Sequence, residues 1–392
     1  MQYKYMSKLQ QYISESDTTN SSKRIAFVGN TAFSLYNFRL GVMKSFVEKG
    51  YTVFAIAPGD KYSPLFAADD IIFVNLKIDG KGTNVLTDIM LLCRMIKIYK
   101  SNSFDFVFHY TVKPIVYGSL VCRLLKINTI AVTTGLGYTF DAGKWLNLFV
   151  VSLYRKSLQK VKEVWFLNPD NRDVFLKKRI VEDSRSFVLN SEGLNTDFFF
   201  PQPKAMNEDK FVFLFLSRLV KEKGIEEFVQ AAKLLKQKYP NTEFQVLGKT
   251  DIQNPHNIAV TKLVEGNREG AIRYFEDAMD VRTFIADSDC VVLPSYYGEG
   301  VPRCLMEAMS MERPIITTDN VGCKELIEHN INGKICTSKD VESLLKVMEE
   351  MYLLDAAERN EMGKSGRRKM LKQYEEKLII DVYHKKTGLY IS

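Results

Sequence analysis

Residues 24–58, RIAFVGNTAFSLYNFRLGVMKSFVEKGYTVFAIAP, carry the pattern that decides the fold. A short apolar, β-rich run ends at Gly29 and Asn30, a stretch with helical spacing follows, and a second apolar run opens at Tyr51. This is strand, turn, helix, strand. The same order recurs: DIIFVNLKI before TDIMLLCRMIKIYKSN, FDFVFHY before KPIVYGSLVCRLLKI, then TIAVTTG, then EVWFLN before PDNRDVFLKKR. Strands alternating with helices of about 10 to 15 residues predict βαβ units with right-handed crossovers and a parallel sheet.

After RSFVLNSEGLNTDFFFPQP the order restarts at KFVFLFLSRLVKEKG. A helix over Ile225–Tyr239 follows, then EFQVLGKT, AIRYFE, DVRTFIADS, DCVVLPSYYGEG, CLMEAMSME, RPIITTD and GKICTS. The polar stretch from Ser191 to Asp209 reads as the domain boundary. The expected architecture is α/β, with two facing Rossmann-like domains, 24–195 and 206–375, behind a polar lead of residues 1–23. A charged helical segment from Ala357 to Tyr390 ends the chain, and its last part, 376–392, is expected to pack back on the first domain. Ligands of such sheets bind outside the carboxyl ends of the strands, so the chemistry belongs in the loops that follow strands.

Composition narrows the classes. With 392 residues, 46% hydrophobic and 26% charged, the chain is neither a small stapled scaffold nor a disordered one. Lys and Arg number 54 against 47 Asp and Glu, a net +7 that suits an anionic small molecule, a phosphorylated lipid or a membrane surface as readily as nucleic acid. Six cysteines without a CxxC pair read as reduced core thiols. No secretory signal and no spanning apolar run of about 18 residues is present, which predicts a cytoplasmic protein.

Four strand-end loops hold most of the candidate residues. In PSYYGEGVPRCLMEAM, Gly298 and Gly300 flank Glu299, and a helix opening near Val301 and Pro302 would turn its N–H groups toward an anion. Glu299 and Glu307 could accept hydrogen bonds from a reacting sugar and from a ribose diol; a plain glycine turn before an amphipathic helix is the alternative. In LSRLVKEKG, Arg218 and Lys223 could clamp a diphosphate, and an anionic ligand would offset the conflict of two cations at a helix entry. In VGNTAFSLYNFR, Gly29 and Asn30 could approach a ligand, but Thr31 and Ser34 replace the later glycines of GxGxxG, which argues against a dinucleotide enzyme. In FHYTVKPIVYGS, His109 closes an apolar strand where it could meet a sugar hydroxyl or a leaving-group oxygen, with Lys113 on the same loop and Gly135 at the next strand end. A structural histidine is the alternative there. The D-x-D of Asp287 and Asp289 precedes a strand and reads as turn chemistry, not a metal site.

These residues resemble the retaining glycosyltransferases of family 4, which have the GT-B fold. GEGVPRCLMEA carries Glu299 and Glu307 in that family's E-x7-E spacing, and SRLVKEKG carries Arg218 and Lys223 at its phosphate clamp. FHYTVKPIVYGSLVCRLLKI, AVTTGLGYTF, LNSEGLNTDFF and IITTDNVGCKELI resemble bacterial enzymes that extend undecaprenyl-diphosphate-linked sugars in O-antigen, capsule and glycan assembly, several of them N-acetylhexosaminyl transferases. Near Gly248 the chain departs from the family pattern, with Lys249 where a second glycine is usual.

The resemblance implies a UDP-sugar donor held by the second domain, with Glu307 on the ribose and Glu299 and His109 on the donor sugar. Arg218, Lys223 and the helix start near Val301 would neutralise the leaving diphosphate, with no metal or other cofactor. It further implies an acceptor-binding first domain, a lipid-linked saccharide acceptor at the inner face of the plasma membrane, and no nucleic acid. A non-catalytic sugar-nucleotide binder and a GT-B epimerase are the rival readings. Residues 144–162, KWLNLFVVSLYRKSLQKVK, mix Trp145, Leu146, Leu148, Phe149, Val150 and Leu153 with Lys156, Lys160 and Lys162, as an interfacial helix on an anionic membrane or a core helix with a basic side would.

Overall fold

The computed structural model describes residues 22–79, 84–135, 144–204, 210–249, 260–278, 280–298 and 300–391. Residues 1–21 of the polar lead and Glu299 lie outside the described residues. The first half contains β1 (Arg24–Val28), α1 (Ala32–Glu48), β2 (Thr52–Ala57), β3 (Ile72–Asn75), α2 (Val85–Asn102), β4 (Phe106–Tyr110), α3 (Ser119–Leu125), β5 (Asn128–Thr133), α4 (Lys144–Ser157), β6 (Glu163–Phe166), α5 (Pro169–Lys177) and β7 (Ser186–Val188). Its seven described strands form one parallel sheet in the order β3-β2-β1-β4-β5-β6-β7. The inner strands are apolar runs because helices cover both faces. Ile25, Phe27, Phe106, Phe108, Tyr110 and Trp165 share one face with α1, while Ala26, Val28, Val107, Ala131 and Val164 share the other with α2, α3 and α4.

The second half contains β8 (Phe211–Leu216), α6 (Ile225–Lys238), β9 (Thr242–Leu247), α7 (Val260–Arg268), β10 (Arg273–Phe275), α8 (Arg282–Asp287), β11 (Cys290–Leu293), α9 (Arg303–Ser310), β12 (Ile315–Thr318), β13 (Gly333–Cys336), α10 (Val341–Leu353), α11 (Ala356–Gln373) and α12 (Glu376–Gly388). Six strands form a second parallel sheet in the order β10-β9-β8-β11-β12-β13. All six cysteines are free thiols. No described helix is long and apolar enough to cross a membrane.

The charged helical segment at the end of the chain consists of α11 and α12. Tyr374 and Glu375 interrupt it, and there Leu194 N donates to Tyr374 O at 2.9 Å while Glu376 N donates to Leu194 O at 3.0 Å. The two chain crossings between the halves are thus hydrogen-bonded to each other. Beyond the break α12 lies against α1 and the first sheet. Tyr383 Oη meets Tyr110 Oη at 2.9 Å, and Lys386 Nζ and Tyr390 Oη donate to Glu163 Oε1 at 2.9 and 2.6 Å. Burial would raise the Glu163 carboxyl, but donation from Lys386, Tyr390 and Trp165 outweighs it and holds the group below its ordinary value.

Candidate active site

In each sheet the strand order reverses once, between β1 and β4 and between β8 and β11, and a crevice opens at the carboxyl ends of such pairs. The loops leaving these four strands begin at Gly29, Thr111, Ser217 and Pro294. They are four of the loops that carry the candidates.

On the second domain the two motif loops are joined. Tyr296 N donates to Glu222 O at 2.9 Å and Ser295 Oγ to the same oxygen at 3.3 Å. Gly224 sits at φ +78°, and a Cβ there would come 2.2 Å from Pro294 O, so only glycine lets these loops close on each other. Lys223 is buried with its ammonium 5.5 Å from the Tyr297 ring centroid, and Arg218 is exposed at the end of β8. Gly248 is pressed against the same strand end, where a Cβ would lie 1.8 Å from Ser217 O. Lys249 Nζ pairs with Asp277 at 2.5 Å, and Lys61 of the first domain reaches the same carboxylate at 3.9 Å.

Pro302 is the N-cap of α9, and its extended backbone leads the loop into the helix. Glu307, in the second turn, is buried, which pushes its carboxyl above the ordinary value, while the Arg303 guanidinium opposes that shift. Arg303 Nε donates to Glu307 Oε1 at 3.1 Å, and Arg303 Nη1 donates to Gly193 O at 3.3 Å. Gly298 has open space around it, whereas Gly300 touches the first domain: a Cβ there would fall 2.5 Å from Thr134 O, and Asn168 Nδ2 donates to Gly300 O at 2.9 Å. Val301 packs against the cores of both halves.

On the first domain Gly29 is buried against Leu35, and Asn30 beside it is half-buried. Thr31 and Ser34 have a structural use: Thr31 caps α1 by accepting from Ser34 N at 3.1 Å. The Asp60 carboxylate accepts from Phe33 N and Tyr62 N at 2.9 and 2.8 Å and so fixes two aromatic rings in edge contact, 5.2 Å apart. Phe38 continues this wall, with Arg303 5.2 Å from its ring centroid.

His109 is not in the cleft. It shares a strand face with Val107, toward α2 and α3, and is fully buried between Tyr99 Oη at 2.8 Å and Thr129 Oγ1 at 2.9 Å. Thr129 spends its hydrogen on Val107 O, so it accepts from His109 Nδ1–H and leaves Nε2 to accept from Tyr99. Burial lowers the imidazole to about 3, which keeps it neutral. Period-two alternation along a strand buried on both faces turned it into a helix layer. Lys113 is paired with Asp88 at 2.7 Å, and Gly135, at φ +151°, ends the described part of its loop. Asp289 accepts from Val212 N and binds Lys204 at the opposite end of the second sheet, where turn chemistry was expected. In α4, Leu148 is exposed, but Val151 and Tyr154 are core, as is Leu158 just after the helix; the side chains of Trp145, Leu146 and Phe149 lie outside the described residues.

Sequence reasoning missed the groups between the domains. Arg39, 3% exposed and 4.1 Å from the Tyr110 ring centroid, forms an ion pair with Glu192 of the connecting segment. Burial raises the Glu192 carboxyl, and Arg39 and Arg303 pull it back. No local pattern marks such a pair; a Glu between Asn190 at φ +67° and Gly193 at φ +78° is the nearest signal.

Residues 24–168 match the family Glycosyl transferase 4-like, and residues 197–369 match Glycosyl transferases group 1. A Campylobacter jejuni N,N'-diacetylbacillosaminyl-diphospho-undecaprenol alpha-1,3-N-acetylgalactosaminyltransferase is 28% identical over 92% of this chain and 97% of its own. An Escherichia coli UDP-Gal:alpha-D-GlcNAc-diphosphoundecaprenol alpha-1,3-galactosyltransferase is 22% identical over 74% of this chain and 77% of its own. The Anabaena protein HepE, solved with UDP and glucose, superposes with a TM-score of 0.77 at 15% identity, covering 93% of this chain and 99% of its own. The chain is a glycosyltransferase of the GT-B fold, with a glycosyl transferase 4-like first half and a glycosyl transferases group 1 second half.

Proposed function

We propose that the enzyme moves an N-acetylhexosamine, with retention at the anomeric carbon, from a UDP-sugar to a saccharide on undecaprenyl diphosphate during O-antigen, capsule or related glycan assembly. The observation that carries this reading is the junction of the Ser217–Gly224 loop with the loop entering α9, which gathers Lys223, the amide end of α9 and buried Glu307 at one strand-order reversal. Breaking the bond between sugar and UDP leaves negative charge on the diphosphate. Lys223, Arg218 and the α9 amides supply the compensating charge without a metal. Glu307, whose carboxyl burial raises and Arg303 pulls back, accepts from the ribose hydroxyls, and Glu299 accepts from a hydroxyl of the donor sugar.

Retention is supported by the alpha-1,3 linkage in the names of both lipid-linked relatives, since a UDP-hexosamine donor is itself α-linked. The acceptor hydroxyl attacks on the face that the diphosphate leaves, and its proton passes to the departing phosphate oxygen. His109 has no part in this. The acceptor lipid places the work at the inner face of the plasma membrane, against an anionic surface.

The test is a panel of UDP-sugars offered with a short synthetic polyprenyl-diphosphate N-acetylhexosamine, read by mass spectrometry. Transfer from a UDP-N-acetylhexosamine, unchanged by EDTA and lost in Glu299→Ala with UDP binding retained, is the expected result. UDP binding with no transfer from any donor would mean a non-catalytic binder, and rescue of a chelated enzyme only by a divalent ion would overturn the metal-free part.

A further inference from the structure

The net charge of the molecule is concentrated in one stretch of the chain. From Val85 to Lys162 the chain holds eleven Lys and Arg against three Asp and Glu, a net +8, whereas the whole chain carries +7. This segment supplies α2, α3 and α4, which pack side by side on one face of the first sheet. α3 and α4 contain no acid. The single acid of α2, Asp88, is taken up by Lys113 at 2.7 Å and Tyr117 at 2.8 Å, and Asp105 accepts from Arg24 N at the far end of β4. Exposed Arg94, Lys97, Lys100, Arg123, Lys126 and Lys156 belong to this layer or its edge.

The same layer exposes apolar surface. Leu91, Met95 and Tyr99 of α2 are buried in the core, yet Val85, Leu86, Ile89 and Met90 are 69%, 71%, 52% and 47% exposed, and Cys93 is exposed with them. At about 100° per residue these five positions, with Lys97 and Lys100, fall within about 140° of arc on the side away from the core. The helix therefore has two apolar faces, and only one has a protein partner among the described residues. Its outward stripe is apolar over the first half and basic over the second. Leu124 of α3 and Leu148 of α4 add to the exposed apolar surface, at 66% and 63%. An apolar stripe continuous with cations and lacking acids complements an anionic bilayer, which offers a hydrocarbon boundary under negative headgroups.

We propose that the outer face of α2, with the basic surface of α3 and α4, is the surface on which this enzyme lies on an anionic lipid bilayer. Val85, Leu86, Ile89 and Met90 enter the boundary between headgroups and acyl chains, while Arg94, Lys97 and Lys100 meet the headgroups. α2 starts at the carboxyl end of the first sheet, so docking there sets the cleft beside the membrane. The inference names the surface for the acceptor lipid in the reading above and rests on that reading only for its purpose. It also centres the membrane contact on α2, with α4, whose inner positions are core, contributing only its outer side.

The test is flotation of the full chain with phosphatidylcholine vesicles and with vesicles containing about one part in three phosphatidylglycerol. The wild type should float with the anionic vesicles and much less with the neutral ones. Leu86→Glu/Ile89→Glu should abolish flotation, and Lys97→Glu/Lys100→Glu should weaken it by at least tenfold, since a basic residue near such a surface is worth about fivefold in partition. Both variants alter exposed positions, so thermal unfolding and turnover of a water-soluble short-prenyl acceptor should be unchanged, with turnover of a long-chain acceptor in vesicles down at least tenfold. Flotation of both variants like the wild type would overturn the proposal. So would sedimentation showing that the stripe pairs two copies, with Leu86→Glu/Ile89→Glu giving monomers that still float. Lipid binding lost in the variants of a chain that transfers no sugar would uphold the surface and reject the catalytic reading alone.

Discussion

Arg303 Nε donates to Glu307 Oε1 at 3.1 Å one turn along α9, while the same guanidinium reaches Gly193 O in the segment between the domains at 3.3 Å. A carboxylate buried in the second turn of a helix would drift toward its protonated form, and Arg303 is the cation that counters this. Arg303→Met should weaken UDP binding by about tenfold, the worth of a charged hydrogen bond. Without the cation the Glu307 carboxyl rises further, so the loss should be larger at pH 6 than at pH 8. Calorimetric titration with UDP at the two pH values checks this, and a pH-independent loss would assign Arg303 to packing alone.

His109 makes stability fall in mild acid. Its imidazole titrates near 3 in the fold and near 6.5 in an unfolded chain, so the unfolded state alone takes up a proton between those values. The stabilising contribution is complete above about pH 6.5 and is lost as pH falls toward 3, amounting to about 2 kcal/mol at pH 5. In His109→Gln the drop in unfolding free energy between pH 7.5 and pH 5 should shrink by about that amount, as read from urea unfolding at both pH values. Transfer activity near neutral pH should survive in whatever fraction of the variant folds.

Gly300→Ala should separate activity from folding. A methyl at that position meets Thr134 O at 2.5 Å and Leu167 Cδ1 at 2.8 Å, both on the other domain, so the loop must retreat from the first domain or the domains must part. Overpacking of this kind costs about 1–3 kcal/mol. Since each sheet keeps its own core, the expected outcome is a folded protein with turnover reduced at least tenfold and near-normal UDP affinity. Wild-type turnover would show that the contact is not needed in the reacting state.

Tyr383 anchors the return of the chain to the first domain. It is 2% exposed, 4.9 Å from the ring centroids of both Phe108 and Trp165, and its hydroxyl meets that of Tyr110. Tyr383→Ala should cost about 3–5 kcal/mol through the cavity it leaves, and Tyr383→Phe about 1–2 kcal/mol through the unmet Tyr110 hydroxyl. Equal losses in chemical unfolding would mean that the hydroxyl pair, not the ring, holds α12.

The strand and helix order was legible because apolar runs with turn residues at their ends are local signals, and Gly224, Gly300 and Pro302 mark the loops between them. The positions of Glu307, Arg218 and Lys223 were legible for the same reason: each stands in a loop or helix opening that follows a strand. His109 was misread because both faces of β4 are covered. A strand end then points sideways into a helix layer as readily as outward, and only Tyr99 and Thr129, ten and twenty residues away in sequence, settle which. The outward stripe of α2 was masked by its inward one, since a helix apolar on two faces reads as simply apolar.

The amino-acid sequence by itself determined two parallel-sheet domains, the segment that joins them, and the strand-end loops proposed to hold the donor, because period, turn chemistry and strand-end position are encoded within about twenty neighbouring residues. Tertiary structure alone decided that Arg39 pairs with Glu192, that Arg303 ties Glu307 to Gly193, that His109 is a neutral core group, and that the positive charge collects beside an exposed apolar stripe. Burial and ion pairing depend on which distant segments share a surface, and local pattern does not carry that information.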